Sequence, residues 1–88
     1  GEKLEGALAV CYQNLGITYA FENKNDSTYL FYMKSLQSRK NANQVGNYSI
    51  IYNYIAKYFL HLDKPDSTEF YIKKAIKSNK IIGPNSQL

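Results

Sequence analysis

The chain has 88 residues, enough for one small domain or part of a larger one and too few to add a separate catalytic domain. Its hydrophobic content of 44%, with 15% aromatic, is above that of a disordered chain, and no apolar run approaches the roughly 18 residues a membrane span needs. A single cysteine, Cys11, excludes an internal disulfide framework and any cysteine-rich zinc site, while a net charge of +4 keeps nucleic acid or an acidic surface open as partners.

The first predicted helix covers residues 3–21, where Leu4, Leu8, Cys11, Leu15 and Tyr19 recur at steps of three and four, with Tyr12 and Gly16 beside them. Glu22-Asn23-Lys24-Asn25 has no apolar residue and reads as a turn. Asp26 is the expected N-cap of a second helix over 27–41, where a carboxylate accepting from first-turn N–H groups stabilises by about 1 kcal/mol relative to Ala. Thr28, Tyr32, Ser35 and Leu36 fall on one face of that helix, with Leu30, Phe31 and Met33 around its sides. After the connection Asn41-Ala42-Asn43-Gln44, a third helix over 45–62 carries the stripe Tyr48, Ile51, Tyr52, Ile55, Ala56 and Phe59. Asp63-Lys64-Pro65 is the next turn, and Asp66 the expected cap of a fourth helix over 67–80, with Glu69 placed for a capping box. Phe70, Tyr71, Ile72, Ala75 and Ile76 are its expected buried side, and Gly83-Pro84 is a stop signal.

These elements repeat. Asp26-Ser27-Thr28 returns as Asp66-Ser67-Thr68, a shift of 66 − 26 = 40 residues, and the same shift superposes Tyr12 on Tyr52, Gly16 on Ala56, Tyr19 on Phe59, Phe31 on Tyr71 and Lys34 on Lys74. A fixed period between roughly 20 and 50 residues marks a stacked repeat. The expected organisation is one repeat at 3–42, a second at 43–82, and a tail or truncated third repeat at 83–88, where Ser86 follows the Gly6 and Gly46 positions. Gly1 reads as a residue left by a removed tag and Glu2 opens inside a repeat, so a piece of a longer protein is expected. Because about three repeats are normally needed for independent stability, the exposed apolar ends are expected to promote self-association or to be covered by further repeats.

The charges follow the helices. Lys34, Arg39 and Lys40, then Lys73, Lys74, Lys77 and Lys80, crowd the later halves of the second helices, while Asp26, Asp66 and Glu69 stand at their starts. Acid first and base last is the order a helix dipole favours, and it weighs more than a polyanion site.

The run Tyr12-x-x-Leu15-Gly16-x-x-Tyr19, followed by Thr28, Tyr32, Ser35 and Leu36, resembles the tetratricopeptide repeat. The second copy, Tyr52, Ile55, Ala56, Phe59, Thr68, Ile72, Ala75 and Ile76, matches it more loosely. The period is longer than the usual 34 residues of that family, and Lys40 and Lys80 replace its proline at the end of the second helix. The likeness is to a long-period variant, similar to repeats in sensor or regulatory arms of some bacterial signalling proteins. It implies an all-α fold, an α-α superhelix of two helix-turn-helix repeats with four helices, acting as a non-catalytic scaffold or sensor that binds a protein or peptide.

Small residues set the expected packing: Gly16 and Ala56 on the first helix of each pair against Ser35 and Ala75 on the second. No residue constellation points to catalysis, a metal or a cofactor. His61 is the sole histidine and reads as a solvated residue favoured by a helix C-terminus; Cys11 reads as a small buried hydrophobe; Asp63 and Asp66 read as turn and cap. The interleaving Tyr54-x-x-Lys57-Tyr58 and Tyr71-x-Lys73-Lys74 is the basis of the alternative function, contact with nucleic acid, although most of these rings occupy repeat positions needed for packing. The leading candidate site is the concave wall lined by the first helix of each pair. There Val10, Gln13, Ile17 and Phe21 correspond to Ile50, Asn53, Lys57 and His61. Gln13 and Asn53 suit a peptide backbone, Lys57 a carboxylate, and Ile17 and Phe21 an apolar side chain.

Overall fold

The computed structural model describes residues 1–43 and 48–81, and among these it is all-α, with α1 (Glu2–Phe21), α2 (Asn25–Asn41), α3 (Tyr48–His61) and α4 (Pro65–Ile81). The chain divides into two units, Gly1–Gln44 and Val45–Leu88; α1 packs on α2 in the first and α3 on α4 in the second. Each is a helical hairpin. The expected third-helix start at Val45, the glycine position at Gly46, the Gly83-Pro84 stop and the Ser86 repeat position lie outside the described residues.

The hairpin turns obey the repeat. Asn23 and Asp63, one period apart, both adopt left-handed backbone at φ 59° and 57°. The Lys24 N–H donates to the Tyr19 carbonyl at 2.9 Å and the Asn23 N–H to Ala20 at 3.1 Å; Lys64 to Phe59 and Asp63 to Leu60, both at 3.0 Å, duplicate the pair. These bonds form a Schellman closure, with Asn and Asp in the position glycine usually takes because their short polar side chains tolerate it.

Asp26 and Asp66 are not the caps. α2 begins at Asn25 with Lys24 ahead of it and no side-chain cap bond, and α4 begins at Pro65, so both aspartates lie in the first turn, where their charge still suits the dipole. Threonine accounts for more of the repeated triplet. The Thr28 hydroxyl donates to the Lys24 carbonyl at 3.0 Å and Thr68 to Lys64 at 2.9 Å, both from buried residues, satisfying a carbonyl at the turn. Glu69 forms no capping box either: it reaches forward to Lys73 at 2.8 Å, one turn along the exposed face, and that bond holds its carboxyl below the usual range.

The helix contacts differ from the expected small-on-small pairing. A Cβ placed on Gly16 would stand 2.5 Å from Tyr32 Cε1, closer still to Cδ1, and 3.4 Å from the Thr28 carbonyl oxygen, so Gly16 makes room for a ring. Ser35 lies against Ala9, donating from Oγ to the Ala9 carbonyl at 2.7 Å in the buried seam. One period on, the two residue types exchange helices: Ser49 on α3 and Ala75 on α4, both buried. A second shared feature is an aromatic cluster. Phe31 stacks on Tyr19 at 5.5 Å and meets Tyr12 at 6.0 Å; Tyr71 stacks on Phe59 at 5.5 Å and meets Tyr52 at 6.1 Å. Lys34 over Tyr12 and Lys74 over Tyr52 close each cluster with a cation on a ring face.

The four residues expected to be buried on α2, Thr28, Tyr32, Ser35 and Leu36, are buried, and Ser38 and Arg39 are buried with them. On α3, Ile51, Tyr52, Ile55 and Ala56 are buried and Tyr48 and Phe59 half-buried. The stripes of α1 and α4 differ from expectation. α1 buries Ala9 and Gly16, leaving Leu4, Cys11 and Leu15 exposed; α4 buries Thr68, Ala75 and Ser78, leaving Phe70, Ile72 and Ile76 exposed. Cys11 is therefore not the buried hydrophobe its position indicated. Close approach explains the choice on α1 and α4, since these two helices give the hairpin seam their small side chains and turn larger ones elsewhere.

Candidate functional site

One face of α3 carries Asn53, Ala56, Lys57 and Leu60 at helical steps of three and four, and α4 faces it with Thr68 and Ile72. Between them is an open groove of about 270 Å³. That is near the lower limit for a small-molecule site and matches one or two protruding side chains. Ala56 and Thr68 form a buried floor, Ile72 and Leu60 expose apolar surface, and Asn53 and Lys57 offer an amide and an ammonium at the rim. Lys57 Nζ stands 5.2 Å from the centre of the Tyr54 ring, which steadies the long side chain without neutralising it.

Two of the expected site residues, Asn53 and Lys57, thus meet in one groove. Phe21 and His61 end their helices and are exposed, while Ile17 is half-buried in α1. Gln13 is engaged inside its hairpin: its Oε1 accepts from Arg39 Nη2 at 2.6 Å. The Gln13 side-chain oxygen is thus already engaged within the hairpin, and Arg39 is not simply a dipole-facing surface base. Arg39 is buried, its Nε has no partner, and burial pulls the guanidinium below its usual value. All seven carboxylate side chains belong to described residues, and none forms an ion pair with Arg39. A neutral amide is therefore its side-chain acceptor. The sequence signal for this pair was a break in the repeat: Ser38-Arg39-Lys40 returns as Ser78-Asn79-Lys80, and Gln13 as Asn53.

The groove of α3 and α4 also has an occupied counterpart. Its lining residues Ala56 and Ile72 correspond to Gly16 and Tyr32, and in the first hairpin the buried Tyr32 ring lies on Gly16. Replacing Gly and Tyr by Ala and Ile removes the ring and leaves the space. Of the rings considered for base stacking, Tyr71 is sandwiched among Tyr52, Phe59 and Phe70, and Lys74 lies over both Tyr52 and Phe70. No group of three or more His, Cys, Asp or Glu capable of holding a metal occurs among the described residues, and no described helix is long and apolar enough to cross a membrane.

Comparison with protein-family models, with curated proteins and with solved structures finds no match in any of the three.

Proposed function

We propose that this chain is a non-catalytic, protein- or peptide-binding helical repeat module of the tetratricopeptide-like kind, serving as a scaffold or sensor element. The observation that carries this reading is the groove between α3 and α4, with apolar Leu60 and Ile72 flanked by Asn53 and Lys57. Apolar surface supplies the binding free energy, about 25 cal/mol per Å² covered, and the amide and ammonium orient a backbone and an acidic group. The exposed Lys74 and Lys77 along α4 favour an acidic ligand through long-range attraction.

Selection of displayed peptides on the immobilised chain tests this. Enriched peptides combine acidic and apolar residues, and their binding weakens at least tenfold in Lys57→Glu and Ile72→Asp. No enrichment, or enrichment indifferent to both substitutions, refutes the reading. Binding of a single-stranded oligonucleotide that collapses as salt rises would instead support nucleic-acid contact.

A further inference from the structure

The second hairpin keeps the frame of the first around the groove and changes what fills it. Thr68 donates to the Lys64 carbonyl at 2.9 Å as Thr28 does to Lys24 at 3.0 Å, so the turn end of the site is the same in both copies. One helical turn on from that threonine, the first hairpin has the Tyr32 ring, 2.5 Å from where a Gly16 Cβ would stand. The second hairpin has Ile72 and Ala56 at those positions, and about 270 Å³ between its helices is open.

Two further exchanges accompany the lost ring. Leu60 stands where the first repeat has Ala20, adding an exposed apolar wall, and Lys57 stands where it has Ile17, adding a cation at the rim. That charge has no counter-ion. All seven carboxylate side chains belong to described residues, and none forms an ion pair with Lys57. On the second hairpin, Glu69 is held by Lys73 at 2.8 Å, and Asp63 and Asp66 at the turn are not among the residues lining the groove.

We propose that the groove takes the aromatic side chain of a peptide, with its ring among Ala56, Leu60 and Ile72 and a carboxylate of the same or a neighbouring residue on Lys57. This rests on the groove being a peptide-binding surface and names the side chain it takes. The ligand supplies from outside the ring that Tyr32 supplies from within the first hairpin. Because it is not tied to position 72, it stands off the Ala56 methyl, which a ring carried by α4 would meet. An aromatic side chain brings about 150–250 Å² of surface to cover the apolar walls. The flexible Lys57 stem lets the ammonium turn from the Tyr54 ring to a carboxylate, which fixes the direction of the peptide.

Titration of the isotope-labelled whole chain with N-acetyl-tyrosine, followed through its backbone amide signals by NMR, tests the proposal. The signals of Asn53, Ala56, Lys57 and Ile72 shift and saturate. N-acetyl-leucine binds at least tenfold more weakly, and the carboxamide of N-acetyl-tyrosine severalfold more weakly; in Lys57→Gln the acid and the carboxamide bind alike. Ala56→Gly combined with Ile72→Tyr rebuilds the pair of the first hairpin, fills the groove from within, stays helical by circular dichroism and abolishes the shifts. Equal binding of the leucine and tyrosine compounds overturns the proposal, as do shifts centred outside the groove or a filled variant that binds like the wild type. Should the filled variant lose its helices, the leucine comparison and the map of shifts on the wild type decide. The peptide selection separates this proposal from the reading it rests on: enriched acidic peptides with aliphatic anchors, sensitive to Lys57→Glu and Ile72→Asp, keep the peptide-binding groove and overturn its aromatic occupant.

Discussion

The contact of Gly16 with Tyr32 yields a quantitative prediction, because the second hairpin contains the same site with both partners changed. Gly16→Ala places a methyl group 2.5 Å from Tyr32 Cε1, well inside van der Waals contact, and the ring is buried and cannot swing aside freely. Overpacking of this kind costs about 1–3 kcal/mol. The better helix propensity of Ala offsets about 1 kcal/mol of that, so the single substitution destabilises by about 0–2 kcal/mol. Tyr32→Ile alone destabilises by removing a buried ring from a site shaped for it, by about 2–4 kcal/mol on the scale of large-to-small core changes. The double variant recreates the Ala56 and Ile72 pairing, so the Ala methyl no longer meets a ring. It should be at least 1 kcal/mol more stable than the sum of the single changes implies. Urea unfolding followed by helical circular dichroism measures the cycle. Additivity within about 0.5 kcal/mol would refute the steric reasoning, as would a single Gly16→Ala that stabilises while Tyr32 stays in place. Gly16→Leu, with three more carbons aimed at the ring, lies at or beyond the upper end of the overpacking range.

The buried Arg39 gives a second test: Gln13→Leu strips its amide acceptor and destabilises by about 1–3 kcal/mol, whereas Arg39→Met, which removes the charge along with its need for a partner, is neutral or stabilising in the same urea assay. The two turns give a third. Asn23→Ala and Asp63→Ala each destabilise by about 1 kcal/mol because Ala resists left-handed backbone, while Asn23→Gly and Asp63→Gly do not, and thermal melting separates the two outcomes.

Much of the fold was legible in the sequence, and the repeat explains why. A 40-residue shift places turn on turn and ring on ring, so Asn23 with Asp63, Thr28 with Thr68, and Phe31 with Tyr71 each indicate the same local structure twice. Four helices and two hairpins follow from that agreement. Helix starts were less legible, because the aspartate of the repeated triplet looks like a cap while the backbone begins its helix one residue earlier. At the candidate site, Asn53 and Lys57 follow from helical spacing, but Gln13 has the same spacing and is taken by Arg39. Position on a helix face sets where a side chain starts; whether a long residue on the neighbouring helix captures it depends on contacts that no periodicity encodes.

The apolar stripes failed in a more instructive way. Leu4, Cys11 and Leu15 make a regular stripe on α1, yet the seam with α2 runs along Ala9 and Gly16. A helix in a repeat has more than one neighbour to satisfy, and its apolar residues divide between them. The seam within the hairpin demands close approach and takes the small residues, while the larger ones are left for a different surface. Periodicity merges the two sets into one pattern, which is why α1 and α4 each buried fewer of the predicted large residues than α2 and α3 did. The mismatch therefore identifies a second surface on each of these helices. On α4 that surface borders the groove holding Asn53 and Lys57. Large apolar side chains that the hairpin does not bury, at positions whose copies are buried, mark that second surface.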